Sequence, residues 1–86
     1  MFQVGHIYAS RVTRSVYLVA AKEEQHGVPG LSVRRPWWPV HRTFWVPETD
    51  VDLESGRPNP CGDEDPQKFW FSPEGGKVQA SFKVPK

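Results

Sequence analysis

An all-β fold of about five short strands is what this sequence predicts, and three observations predict it. Apolar and polar residues alternate with a period of two through Val78, Ala80, Phe82 and Val84, and again from Val40 to Val46. Valine, whose branched side chain suits a pleated surface, occurs eleven times, against three Leu and one Ile. The apolar runs are short and are separated by turn-forming Gly, Pro, Asn and Asp. Short strands joined by short turns, with one longer connection, predict a small antiparallel barrel or a strongly curved sheet. The 86 residues allow a single domain, 1–86, with no room for a second core.

The elements follow in order. Phe2 to Tyr8 reads as a first strand interrupted at Gly5, a common place for a bulge. Val12-Thr13-Arg14 reads as a tight turn. Ser15 to Ala20 is a short apolar run, the pattern of a central strand covered on both faces. Lys22 to Gly30 is a polar loop punctuated by Gly27, Pro29 and Gly30, and Leu31-Ser32-Val33 resumes the alternation. From Val40 to Val46, Val40, Arg42, Phe44 and Val46 share one side, with Arg42 marking an edge position. Residues 47–66 carry Pro47, Pro58, Pro60 and Pro66 and seven acidic residues, so a long acidic, proline-rich loop is expected, with at most one helical turn near Thr49. Lys68 to Ser72, a Pro73-Glu74-Gly75-Gly76 turn and the strand Lys77 to Val84 read as a closing hairpin.

The opener Phe2-x-Val4-Gly5-x-Ile7-Tyr8, followed by Tyr17-Leu18-Val19, resembles the start of small SH3-like β-barrels. Such barrels are frequent among compact phage-encoded proteins and nucleic-acid-associated modules. The resemblance spans about twenty residues at the amino end and implies a fold rather than an activity. The long acidic insertion before the last hairpin departs from it.

Charge is unevenly divided. The net charge is +1, yet residues 1–45 sum to +4 (six basic, two acidic) and residues 46–86 to −3 (five basic, eight acidic). Such a division can present two electrostatic faces, although exposed charges are usually no more than solvated surface.

The densest candidate site is Arg34-Arg35-Pro36-Trp37-Trp38-Pro39-Val40-His41-Arg42-Thr43-Phe44-Trp45. Arg and Trp most often carry binding energy at recognition surfaces, and the prolines stiffen the backbone between them. Arg34, Arg35, Trp37, Trp38, Arg42 and Trp45 are therefore the expected contacts to a partner. Against this, a domain with few leucines must spend some of its aromatics on the core. A second surface is expected from the acidic residues Glu48, Asp50, Asp52, Glu54, Asp63, Glu64 and Asp65, which suit a basic partner.

The reading that best accounts for these features is a non-catalytic module that binds another protein. A small phage-encoded accessory protein directed at a host or assembly protein fits, and a composition rich in Gly, Ala, Arg and Pro is consistent with a GC-rich genome. The alternative is a nucleic-acid-binding module using the Arg/Trp cluster at 34–45 for phosphate contacts and base stacking, which the near-neutral charge balance disfavours.

Catalysis and cofactors are not expected. Cys61 with His41 or His26 lacks a third member, and Asp50 with Asp52 implies no pocket. His6, His26, His41 and Cys61 lack the closely spaced ligand pair of a zinc site. Gly75-Gly76 is too short to cradle a phosphate. One cysteine excludes an internal disulfide, and no basic segment followed by an apolar run opens the chain, so a cytoplasmic protein, in host cytoplasm if phage-encoded, is expected.

Overall fold

A computed structural model describes residues 1–13, 15–36, 42–60, 66–70 and 72–81. The described chain is mostly sheet. Five strands, β1 (His6–Ser10), β2 (Val16–Lys22), β3 (Gly30–Arg34), β4 (Phe44–Pro47) and β5 (Val51–Pro58), form one open antiparallel sheet in the order β4-β3-β2-β1-β5. The all-β expectation holds at that level, with two short helices, α1 (Pro66–Trp70) and α2 (Pro73–Ser81), following the sheet.

The first four strands run as a meander and β5 returns to the free side of β1. A single 3-10 turn, Glu48–Asp50, joins β4 to β5, which are the two edges of the sheet. In a flat sheet those edges lie four strand spacings, about 19 Å, apart. The four Cα–Cα steps from Pro47 to Val51 reach at most about 15 Å, and a 3-10 turn shortens that further. The sheet therefore curls until its edges approach. Irregular register supplies the bending, between Val19 and Ala21 on β2 and between Ile7 and Ala9 on β1.

Alternation along β1 and β2 sends side chains into two separate apolar clusters. Tyr8, Tyr17 and Val19 join Phe2, Leu31, Val33, Val46 and Val51 in one, and Ile7, Val16 and Leu18 pack with Trp70 in the other. Both faces of these strands are covered, as the apolar run at residues 15–20 predicts. In the first cluster Phe2 folds back edge-on to Tyr8, with ring centroids 4.9 Å apart, while the Tyr8 hydroxyl accepts from the Gln3 N–H at 2.7 Å.

Local chemistry explains the turns. Gly5 has φ 87 and precedes β1, so it makes a turn there rather than interrupting a strand. Between Gln25 and Val28, bonded to each other in both directions, His26 (φ 53) and Gly27 (φ 79) occupy the left-handed positions of a tight hairpin turn. The Ser10 hydroxyl accepts from the N–H groups of Val12 and Thr13, both at 3.1 Å, and so organises the β1–β2 turn.

Three expectations need correction. Residues 47–58 are not a loop: after the 3-10 turn they form β5, because Pro47 and Pro58 both sit at strand ends and on edge strands, where a missing N–H is tolerated. The fourth strand begins at Phe44 among the described residues, and the expected positions Val40 and His41 lie outside them. The closing hairpin is replaced by α1 and α2. Ser72 caps α2, its hydroxyl accepting from the Gly75 N–H at 3.2 Å, with Pro73 at the first helical position and Glu74 in the first turn. Helices of five and nine residues are too short to persist alone. They are held by Trp70, only 1% exposed, with Phe69 and Val78 packed on the same cluster. Phe82 and Val84 of the expected strand lie outside the described residues.

Candidate functional site

The expected partner-binding residues divide by position. Arg34 ends β3 and is half-buried; Arg35 follows it, also half-buried; Arg42 is exposed shortly before β4. Val33 faces Phe44 at the end of the β3–β4 ladder, so Arg34-Arg35 and Arg42-Thr43 leave the sheet on adjacent strands. Trp37 and Trp38 lie outside the described residues.

Trp45 is committed to the fold. Its indole N–H donates to the carbonyl oxygen of Glu23 at 2.7 Å, and its ring occupies the space that any side chain on Gly30 would need. This ties edge strand β4 to the β2–β3 hairpin. Phe44, 41% exposed, stands edge-on to Tyr17, with ring centroids 5.4 Å apart.

Of the acidic residues, Glu48 and Asp50 lie in the 3-10 turn and Asp52 and Glu54 at the start of β5, while Asp63, Glu64 and Asp65 lie outside the described residues. Of these, Glu48 lines a cleft of about 390 Å³ together with Phe2, Arg11, Thr49, Val51 and Leu53, while Asp52 and Glu54 alternate with Val51 and Leu53 along β5. Phe2 and Val51 are buried and form its floor; Leu53 is 40% exposed at its edge. Backbone bonds fix the walls. The Arg11 N–H donates to the Asp50 carbonyl at 2.8 Å, and the Glu48 N–H donates to the Pro29 carbonyl at 3.1 Å. The Arg11 guanidinium stands 4.0 Å from Asp52, and both side chains are largely exposed. Such a pair contributes little stability, so a competing charge can replace either member at small cost.

Phe2, Val51 and Leu53 did not figure among the expected contacts. The available signal was Leu53 itself, a large apolar side chain between Asp52 and Glu54 in a polar segment. Phe2 and Val51 gave no comparable signal, because only the curl of the sheet brings the amino end beside β5.

A second cavity, of about 270 Å³, is lined by Val4, Gly5, His6, Leu18, Arg34, Pro58 and Asn59. It shares no residue with the cleft. His6 lies opposite Pro58 across the β1–β5 ladder, and Arg34 lies opposite Leu18 across the β2–β3 ladder.

Among the described residues, no group of three His, Cys, Asp or Glu side chains is placed to hold a metal ion. His26 sits exposed at a hairpin tip, and Cys61 and His41 lie outside the described residues. No helix among the described residues is long and apolar enough to cross a membrane. No protein-family description, curated protein or solved structure matches this chain.

Proposed function

We propose that this chain is a non-catalytic module that binds another protein, using the cleft between the 3-10 turn, β5 and the folded-back Phe2. The observation that carries this reading is the cleft's combination of an apolar floor with Glu48 and the exposed Arg11–Asp52 pair at its rim. Phe2, Val51 and Leu53 offer apolar surface, and Glu48 in the lining, with Asp52 paired to the lining Arg11, puts negative charge at its edge. A partner segment bearing Lys or Arg beside an aliphatic or aromatic side chain complements both features.

An SH3-like barrel is the finer fold assignment we favour. The order β4-β3-β2-β1-β5, with one 3-10 turn between the last two strands, supports it. A phage-encoded accessory protein directed at a host or assembly protein fits the small size and the resemblance at the amino end. The nucleic-acid alternative draws less support: the Trp45 indole is bonded to Glu23 and packed over Gly30, which leaves it a poor stacking platform.

Display of random peptides against the immobilised chain tests the reading. Selected sequences are expected to pair a basic residue with an apolar one. They should bind Leu53→Asp and Glu48→Lys at least about tenfold more weakly, which corresponds to about 1.4 kcal/mol. Selected peptides that bind both variants as well as the parent would overturn it. So would steeply salt-dependent binding to DNA or RNA that vanishes in Arg34→Ala/Arg35→Ala while no peptide is selected.

A further inference from the structure

Beside the cleft, the outer edge of β5 carries two backbone groups that the fold leaves unused. β5 ends the order β4-β3-β2-β1-β5, so only one of its edges is paired, and β4 does not bond to the other. Three hydrogen bonds show which groups face the paired edge. The Arg11 N–H donates to the Asp50 carbonyl at 2.8 Å. The Asp52 carbonyl accepts from the Ser55 hydroxyl, which itself accepts from the Ala9 N–H. The carbonyls of Asp50 and Asp52 therefore point towards β1.

A trans peptide sets each N–H opposite the carbonyl that precedes it. The N–H groups of Val51 and Leu53 therefore point away from β1. Val51 turns its N–H back to the Glu48 carbonyl, which closes the 3-10 turn. The Val51 carbonyl faces the same outer edge. Ser10, opposite Val51, donates its N–H to the Ser15 carbonyl on the other side, which makes Ser10↔Val51 a non-bonded pair of the ladder. Among the described residues, neither the Val51 carbonyl nor the Leu53 N–H meets a hydrogen-bond partner. They stand on either side of Asp52, an acceptor and a donor along one edge, and the Leu53 side chain between edge and cleft is 40% exposed.

An acceptor and a donor so spaced fit an extended main chain that adds as a further strand. Charge then selects its source. A second copy of β5, paired about a two-fold axis, would use both groups only with Asp52 opposite Asp52 and Asp50 opposite Glu54. Like charges directly across a ladder are unfavourable, and charged edges guard against such self-pairing. A strand of another protein with Lys or Arg facing Asp52 and Glu54 meets no such penalty. We infer that the segment taken by the cleft binds as an added β-strand, its main chain pairing with the Val51 carbonyl and the Leu53 N–H. This rests on the peptide-binding reading of the cleft and adds the mode of recognition, in which only alternate side chains of the segment face the cleft.

Nuclear magnetic resonance on the full chain tests the inference, with the tightest peptide from the display selection as the probe. Hydrogen exchange at the Leu53 amide should slow at least about tenfold at saturation, while the Val51 amide, already bonded to Glu48, changes little. Methylating the peptide's backbone nitrogens one at a time should weaken binding at least about tenfold at the residue that donates to Val51. Methylation of the adjacent nitrogen, which points away, should cost far less. If peptides bind but Leu53 exchanges as before, or no methylated position weakens binding, the segment docks by side chains alone; the inference falls and the cleft reading stands. If no peptide is selected, both fall. Protection of Leu53 that rises with protein concentration in the absence of peptide would identify a second copy as the occupant and overturn the inference.

Discussion

The indole N–H of Trp45 donates to the backbone carbonyl of Glu23 at 2.7 Å, across 22 residues of sequence. With its ring seated over Gly30, this one contact fastens the edge strand β4 to the hairpin between β2 and β3. Arginine-flanked tryptophans invite a recognition role, yet this one serves the scaffold.

Gly30→Ala follows directly. The new methyl would enter the indole and force the ring off its acceptor, since the backbone of a paired strand cannot retreat. A loss of about 1–3 kcal/mol is expected, the usual effect of overpacking. It is read as a lower denaturant midpoint with an unchanged slope. An unchanged midpoint would show that the indole moves aside freely.

Ser55 does work that a backbone group does elsewhere in the sheet. The β1–β5 register jumps between Ile7↔Arg57 and Ala9↔Asp52, and in that gap the Ser55 hydroxyl accepts from the Ala9 N–H at 2.8 Å while donating to the Asp52 carbonyl at 2.6 Å. Ser55→Ala leaves a partly buried N–H unbonded and is expected to lower stability by about 1–3 kcal/mol. Hydrogen exchange at Ala9 should accelerate by a matching factor. Exchange no faster than in the parent would refute this role.

Trp70 and Ser72 test the helical ending of the described chain. Trp70→Ala empties the centre of the cluster formed with Ile7, Val16 and Leu18 and should cost about 3–5 kcal/mol. That approaches the whole stability of many small domains, so extensive unfolding at ambient temperature is a reasonable outcome to observe. Ser72→Ala removes a helix cap and should cost about 0.5–2 kcal/mol. If circular dichroism of the Ser72 variant matched the parent with no change in midpoint, the cap would contribute nothing.

The cleft allows binding and folding to be separated. Leu53 is 40% exposed, so Leu53→Asp loses only part of a leucine's burial and should lower stability by about 1–2 kcal/mol. Affinity for a basic, apolar peptide should also fall. Arg11→Ala breaks only the exposed pair with Asp52, worth at most about 1 kcal/mol, and should leave the melting temperature nearly unchanged. It also removes a positive charge from the cleft, so a cationic peptide should bind more tightly. Weaker binding would mean that Arg11 contacts the partner directly.

The strands of the first half were legible because their signals are local. The short apolar run at β2, the alternation of Leu31-Ser32-Val33 at β3 and the Gly- and Pro-punctuated connection between them follow from side-chain pattern and turn chemistry alone. The last third misled for an equally local reason. Pro73-Glu74-Gly75-Gly76 satisfies a hairpin turn as well as it does a capped first helical turn, and Val78 with Ala80, two apart, carries the strand period. Packing overrides that signal: Trp70 of α1 sits among Ile7, Val16 and Leu18, and Val78 of α2 packs against the same cluster. The prolines of residues 47–58 misled in a different way. They exclude a central strand but not an edge one, and edge position is not written locally.

What the sequence determined by itself was an antiparallel β scaffold, a charge division along the chain, and the residue types available for recognition. Tertiary structure alone decided which of those residues meet. Curling brings Phe2 beside Leu53 and the acidic turn, the β3–β4 ladder seats Trp45 on Gly30, and His6 and Arg34 come to line one cavity. Each of these meetings joins positions between 15 and 51 residues apart. Separations of that kind are bridged by strand pairing and by the bending of the sheet, which no local pattern encodes.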